Sequence, residues 1–575
     1  VAGEEKSGGI FLVNLVVAQT RERLAQALAQ AYESARDGGL LPAVELPPVV
    51  VEVPREREHG DFAANLALML AGRMGKSPRA VGEILAGRLP DTPAARRVPL
   101  VSVDVAGPGF VNFYLRPDWV LEAVAQARAL GPDYGRSSLG AGERVQVEFV
   151  SANPTGLLHL GNARGAALGD SLASLLAFAG YAVEREFYIN DAGQQVEKLG
   201  LSMEARYLQV LGRPAEVPED GYHGHDLVET AGRFVEKYGD SYLAGPESSR
   251  REALTRFALA EKLAAIERAL LQFGVRYDRW FAESGLHESG RVRAVVEALA
   301  RKGCTYEEGG AVWFRGTAYG LAKDEVLVRA SGVPTYFAAD VAYHVDKLER
   351  GFSRIIDIWG ADHHGHVARL HAALKALGLD EGALTVIIMQ LVRLLRDGEM
   401  VRMSKRKGQA VTLEELVEEV GRDAARYFFV LRSAESHLDF DLDLARRQTN
   451  ENPVYYIQYA HARICSIFRQ WEESGNAPPG KADLSLLREE AELALARQIA
   501  WYPEEIVLAA QGLAPHRLAR YTHELAGLLH SFYNSHRVIS EDGALTTARL
   551  ALMEATRVVL AGACRILGVS APERM

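Results

Sequence analysis

A short apolar strand at residues 145–150 runs into a turn of small residues and then into a helix, with a second strand at 183–189. That succession is a βαβ unit and commits this part of the chain to a parallel sheet. Within the helix, Leu168, Leu172, Leu175, Leu176 and Ala179 recur at helical spacing, and Gly180 supplies the stop. Its first turns carry Gly161, Ala163, Gly165, Ala166 and Ala167, small enough to let another body approach closely. A helix start in this position gathers unpaired N–H groups and about half a positive charge, which favours phosphate. His159 can donate to a phosphate oxygen there, and Gly161 lets a planar base lie against the backbone. The outline is that of a nucleoside triphosphate site.

A second stretch complements it. Arg402, Lys405, Arg406 and Lys407 place four cations within six residues beside Gly408, with Met403 and Ser404 between them. An isolated charge run of this kind reads as a solvated turn. Paired with the helix start at His159, it reads as a loop that closes over the same phosphates. In adenylation a carboxylate attacks the α-phosphorus and pyrophosphate leaves. Cations that follow the growing charge lower the barrier by about a few kcal/mol each.

The chain's 575 residues exceed what one hydrophobic core holds, so several domains are expected. A net charge of −10 argues against a general polyanion binder, leaving no DNA partner and only local patches for RNA. Cys304, Cys465 and Cys564 lie far apart, which suggests neither a disulfide framework nor a zinc site and fits a reducing cytoplasm. Residues 10–18 have the length of an export-signal core, but Glu4, Glu5 and Lys6 before them are net acidic, so the segment reads as the lead-in to a first helix. No stretch is apolar enough to span a membrane.

Along the chain, residues 12–36 read as an amphipathic helix, 49–53 as a strand, 60–89 as helices, and 100–105 and 110–115 as strands, a compact α+β unit. Residues 133–142, rich in Gly and Ser, read as a linker. Residues 192–290 read as a helical insertion. Strands resume at 354–359 and 384–389, and from 414 onward the period is helical, with a break at 438–444 before a terminal bundle.

Glu148 lies inside an apolar strand, where an unpaired carboxylate would cost several kcal/mol. It needs a cation, and a substrate guanidinium would satisfy it bidentately. Tyr336, Asp340 and Tyr343 share one face of a helix that begins after Pro334 and ends at Gly351; on general grounds the pair Tyr336 and Asp340 is a capping or surface pair. The run Asp362, His363, His364, His366 invites a metal reading, but adjacent residues point apart and substrate contact is favoured. The His-containing stretch at 222–226 reads as structural. Aromatic and cationic residues interleave at 426–429, 455–463 and 530–537, a pattern suited to unstacked loop bases, although many of these rings belong to a bundle core.

His159-Leu-Gly-Asn162 with Arg402-Met-Ser-Lys405-Arg resembles the paired signature of the class I aminoacyl-tRNA synthetases. Asn162 stands where that signature ends in histidine and Arg402 where it has its first lysine, while Lys405 is retained. Stretches at 60–65, 107–112, 148–165, 188–193, 359–365, 452–463 and 571–575 extend the resemblance over nearly the whole chain, to the arginyl-tRNA synthetase family in its bacterial form. The resemblance implies a multidomain protein. Residues 1–125 would be an additional α+β tRNA-binding domain, and 136–413 a Rossmann-like α/β catalytic domain with its helical insertion at about 192–290. Residues 414–444 would connect it to an all-α anticodon-binding domain at 445–575. It further implies activation of L-arginine by ATP with Mg²⁺, transfer to tRNA(Arg), and a cytoplasmic monomer.

Carried over by position, Glu148 and Asp340 would hold the guanidinium and Tyr336 would pack on the substrate. Ser151 would join this arginine site, and Asn153 and His363 would face the α-amino end. Thr155, Gly156, His159, Gly161, Asn162, Met403, Ser404 and Lys405 would bind ATP, with His159, Asn162 and Lys405 catalytic and no resident metal. Tyr455, Tyr459, Arg463 and Asn534 would contact tRNA. Two alternatives remain: another class I synthetase, against which an acidic pocket argues in the case of glutamate, and a non-catalytic RNA-binding relative, against which the retention of His159 and Lys405 argues.

Overall fold

The computed structural model describes residues 15–54, 56–401, 411–477 and 480–575. The first helix, Val16–Asp37, buries Leu24, Leu28, Ala31 and Tyr32. Strands β1 (Val51–Glu52), β2 (Phe62–Ala64), β3 (Leu100–Ala106) and β4 (Phe110–Leu115) form an antiparallel sheet in the order β1-β2-β4-β3. Residues 60–89 were expected to be helical throughout, but Phe62–Ala64 is a strand paired with β4, and the helices are Leu66–Met74 and Pro78–Arg88. Pairing decides this three-residue element. Gly60, at φ 95°, brings the chain so near β4 that a Cβ would stand 2.6 Å from the Phe113 carbonyl oxygen.

Residues 133–142 are packed rather than free. The buried Tyr134 hydroxyl donates to the Ile499 carbonyl at 3.0 Å, and its ring stacks on Tyr502. The parallel sheet follows: β5 (Arg144–Glu148), β6 (Ala182–Ile189), β7 (Arg279–Ala282), and, after the antiparallel β8 (Thr305–Glu308), β9 (Ala311–Phe314) and β10 (Glu325–Val328), the strands β11 (Arg354–Gly360) and β12 (Leu384–Met389). Its order is β12-β11-β5-β6-β7. The segment read as a helical insertion up to residue 290 thus returns to the sheet at β7, whose Trp280 and Phe281 pair with Phe187 and Tyr188 of β6.

After β12 come β13 (Val392–Arg396), β14 (Glu399–Met400) and β15 (Leu438–Asp441), in the order β14-β13-β15. The stretch expected to be a break, 438–444, is therefore a strand lying parallel to β13 followed by the start of a short helix, Leu442–Arg446. Four long helices, Pro453–Glu473, Glu490–Gln511, Pro515–Ser535 and Gly543–Leu567, form the terminal bundle. No described helix is long and apolar enough to cross a membrane.

One apolar cluster runs from the first helix through the helix Leu160–Phe178 into the bundle; a second lies beneath the helix Tyr336–Glu349, and a third holds the insertion together. The fully buried Arg426 fastens three parts of the first cluster. It donates to Asp170 at 2.6 Å, to the Phe273 carbonyl at 3.2 Å and to the Leu567 carbonyl at 3.3 Å.

Candidate active site

The chain leaves β5 toward β6 on one side, while β11 pairs with β5 on the other, so the strand order reverses between β5 and β11. A crevice opens beyond the carboxyl ends of strands at such a point. Glu148 ends β5, and Val150 and Ser151 follow at φ 68° and 38°. A β-branched residue in that region is strained, and the strain swings the chain sharply from the strand toward the helix start. Phe149 fits because Gly169 lacks a side chain; a Cβ there would lie 2.1 Å from the Phe149 ring.

His159 is the N-cap of the helix Leu160–Phe178. Its Nδ1 accepts the Gly161 N–H at 3.2 Å, and Asn162 Oδ1 accepts the His159 N–H at 3.0 Å, a reciprocal capping box. With Nδ1 accepting, the neutral ring carries its proton on Nε2. Asn162 in the place of a histidine therefore has a structural use, as the group that holds His159. Thr155 and Gly156 sit half-buried in the turn, where the Thr155 N–H donates to the Asn153 carbonyl at 2.7 Å, and Asn153 is exposed. Met403, Ser404 and Lys405 lie outside the described residues. The chain re-enters at Val411, Thr412 forms a β-bridge with His159, and the Leu413 N–H donates to the Leu158 carbonyl at 2.9 Å. Arg164, fully buried, donates to the carbonyls of Gln390, Ser433 and Ser436 and fixes the frame around the same helix start.

A cation for Glu148 is found within the chain, where the sequence had pointed to a substrate guanidinium. Glu148 Oε2 accepts from Lys347 Nζ at 2.6 Å and Oε1 accepts from the Ser151 hydroxyl at 2.8 Å. Ser151 also takes the Tyr188 N–H at 3.1 Å, so its hydroxyl proton serves Glu148. Lys347 donates in turn to Asp357 at 2.8 Å, and Asp357 lies 2.8 Å from His344 Nε2. Burial raises the Glu148 carboxyl and Lys347 draws it down.

Asp340 stands one turn from Tyr336 at the start of the helix Tyr336–Glu349, which Thr335 caps. Its carboxyl is pushed up to about 7, first by burial and then by the like charges of Glu283, Glu148 and Asp357. Glu283 was absent from the sequence reading; it begins the short helix after β7 and is itself raised by burial. The buried Tyr188 hydroxyl lies against Glu283 and feels the charges of Glu283, Asp340 and Glu148 together. The buried Asn190 side-chain oxygen has no hydrogen-bond partner among the described residues. Three carboxyls thus gather around the Tyr188 hydroxyl. Tyr336 is 41% exposed at the rim, its hydroxyl close enough to Gly193 that a Cβ there would lie 3.1 Å away. Tyr343, on the same helix, is buried and donates to Glu186 at 2.5 Å, so it belongs to the layer beneath the site.

His363 is exposed beyond the end of β11, 6.2 Å from the Trp359 ring and 5.7 Å from His366. In the bundle, Tyr455, Tyr459 and His530 form a stacked row, and the Arg463 guanidinium lies 4.7 Å from the Tyr459 ring and 4.3 Å from that of Tyr533. Asn534, one residue beyond, is exposed. The structure thus brings Tyr455, Tyr459 and Arg463 together, while Tyr427 and Phe429 are core.

Three family models match the chain: an arginyl tRNA synthetase N terminal domain over residues 18–115, a class I (R) tRNA synthetase catalytic domain over 126–222, and a DALR anticodon binding domain over 457–575. An arginine–tRNA ligase of Desulforudis audaxviator is 59% identical over 98% of this chain and 100% of its own length. One from Moorella thermoacetica is 58% identical over 97% and 100%. Among solved structures, the arginyl-tRNA synthetase of Thermus thermophilus shares the fold at a TM-score of 0.72, with 24% identity over 96% of this chain and 100% of that one.

Proposed function

The chain belongs to the arginyl-tRNA synthetase family, an arginine–tRNA ligase that uses ATP, and from that premise we propose how its residues divide the work. Glu148 and Asp340 hold the substrate guanidinium, with Tyr336 packed over the side chain and Asn153 and His363 toward the α-amino end. Ser151 acts on arginine through Glu148. The observation that carries this reading is the gathering of Glu148, Asp340 and Glu283 around the buried Tyr188 hydroxyl. A planar cation with several donors answers such a spot.

ATP enters as its Mg²⁺ complex. The turn at Thr155 and Gly156, Gly161 and the N–H groups of the helix start face the nucleotide, and His159 Nε2–H donates to a phosphate oxygen, Asn162 holding the ring in place. Met403, Ser404 and Lys405, from the second half of the signature, bind the nucleotide as well. The arginine carboxylate oxygen bonds to the α-phosphorus as the bond to pyrophosphate breaks, and Lys405 stabilises the leaving phosphates. A ribose hydroxyl at the tRNA 3′ end then attacks the acyl carbon, and AMP leaves. Residues 1–125 and 445–575 hold the tRNA for the catalytic unit at 136–413, with 414–444 connecting it to the bundle; Tyr455, Tyr459, Arg463 and Asn534 take anticodon-loop bases. The protein works as a cytoplasmic monomer.

Amino-acid-dependent pyrophosphate exchange, with and without tRNA, tests the assignment. Arginine should support exchange, and Glu148→Gln or Asp340→Asn should raise the arginine KM while leaving the ATP KM unchanged. Exchange supported by lysine or glutamate instead, or an unchanged arginine KM in both variants, would overturn it.

A further inference from the structure

Behind the arginine site, the sheet and the helix Tyr336–Glu349 enclose a layer of charge where a hydrophobic interface would be expected. Lys347 is fully buried at its centre. It faces Glu148 on β5, Glu186 on β6 and Asp357 on β11, and its Nζ lies 4.2 Å from the centre of the Tyr343 ring. His344, on the same helix, has Nδ1 at 2.7 Å from the Asp340 carbonyl and Nε2 at 2.8 Å from Asp357. Both ring nitrogens thus face oxygens of acidic residues. Glu148 and Asp357 are directly opposite each other in the β5–β11 register. Two carboxylates so placed cannot both stay ionised without a cation between them.

We propose that Lys347 is a positioning residue for arginine recognition: bonded to both Glu148 and Asp357, it keeps Glu148 ionised and aimed, with one lone pair on each oxygen left for the guanidinium. The proposal rests on the reading that Glu148 contacts the substrate. A carboxylate oxygen accepts two hydrogen bonds, and each oxygen of Glu148 has one, from Ser151 and from Lys347. Without Lys347, a proton would settle on Glu148 or Asp357, and a protonated Glu148 offers the guanidinium a competing donor.

The test compares Lys347→Met with the double variant Lys347→Met, Asp357→Asn in arginine binding and in pyrophosphate exchange across pH 6 to 9. Lys347→Met should raise the arginine KM about tenfold or more at neutral pH, with part of the loss regained at high pH as Glu148 ionises. The ATP KM should stay at the parent value. The double variant, which removes the opposing charge, should recover most of the lost affinity. An arginine KM within about twofold of the parent, an equal rise in the ATP KM, or no recovery in the double variant would overturn the proposal. Should Lys347→Met fail to fold, Asp357→Asn in an Asp340→Asn background, where the Asp340 limb is gone, reads the same question: Lys347 then serves Glu148 undivided, and the acid limb that remains in the arginine-affinity profile should move to lower pH, an unmoved limb counting against the idea. Glu148→Gln separates the two failures. If it raises the arginine KM while Lys347→Met does not, only the role of Lys347 falls; if it changes nothing, the site reading falls first.

Discussion

Arginine binding should strengthen about tenfold between pH 6 and pH 8. The Asp340 carboxyl of the free protein sits at about 7, raised by burial and by its acidic neighbours and only partly opposed by His344. It is then about one-tenth ionised at pH 6 and about nine-tenths ionised at pH 8. The guanidinium remains charged throughout, and it pairs with the carboxylate and not with the acid. Affinity therefore follows the ionised fraction upward, and at pH 7 each binding event should release about half a proton. Titration calorimetry with arginine in buffers of different ionisation enthalpy measures both quantities, the Kd profile and the proton count. An aspartate with the ordinary value of 3.8 would show neither, and Asp340→Asn should flatten both. A pH-independent Kd, or affinity that weakens as pH rises, would refute the reasoning. The sign for folding runs the other way. A carboxyl raised in the fold contributes stability that is present below its unfolded pKa and lost as pH rises through about 7, so bound arginine should protect the protein most on the alkaline side.

Gly169→Ala should lower the melting temperature, because its Cβ would collide with the fully buried Phe149 ring; overpacking of this kind costs roughly 1–3 kcal/mol or more, and an unchanged transition would count against the packing described. Arg463→Ala removes the guanidinium from between Tyr459 and Tyr533 and should raise the tRNA KM by about tenfold or more, with tRNA-saturated arginine activation unaffected; equal losses in both would point to a folding defect. Lys405→Ala should slow adenylate formation far more than it weakens arginine binding, as single-turnover kinetics beside direct binding would reveal; parallel losses would deny it a role at the phosphates.

The strand–turn–helix about His159 was legible in the sequence because strand, turn and helix signals agree locally, and the helical period after residue 414 likewise. What was missed depended on partners distant in the chain. β7 is an Arg-Trp-Phe-Ala run whose strand identity comes from lying beside β6, and β8 to β10 are four-residue strands too short for alternation to register. Glu148 announced itself as a buried acid in an apolar strand, yet its partner Lys347 stands 199 residues away on a helix whose spacing only suggested a surface face. Glu283 gave no signal at all, since a glutamate opening a short helix is ordinary until the fold carries it to Tyr188. The role of Asn162 was half visible: its place at a helix start was clear, but only the geometry showed it holding the His159 backbone.

The carbonyl of Leu567 receives bonds from both Arg426 and Ser171, the latter 396 residues earlier in the chain. During synthesis, the helix that begins at His159 emerges long before the segment that completes its packing. Until then its apolar flank is bare, a state that invites aggregation or the attention of chaperones. A fragment stopped short of that segment would carry every group of the adenylation chemistry and still fail to hold them in register, so nonsense truncation or proteolytic clipping late in the bundle should silence the enzyme as surely as damage at His159.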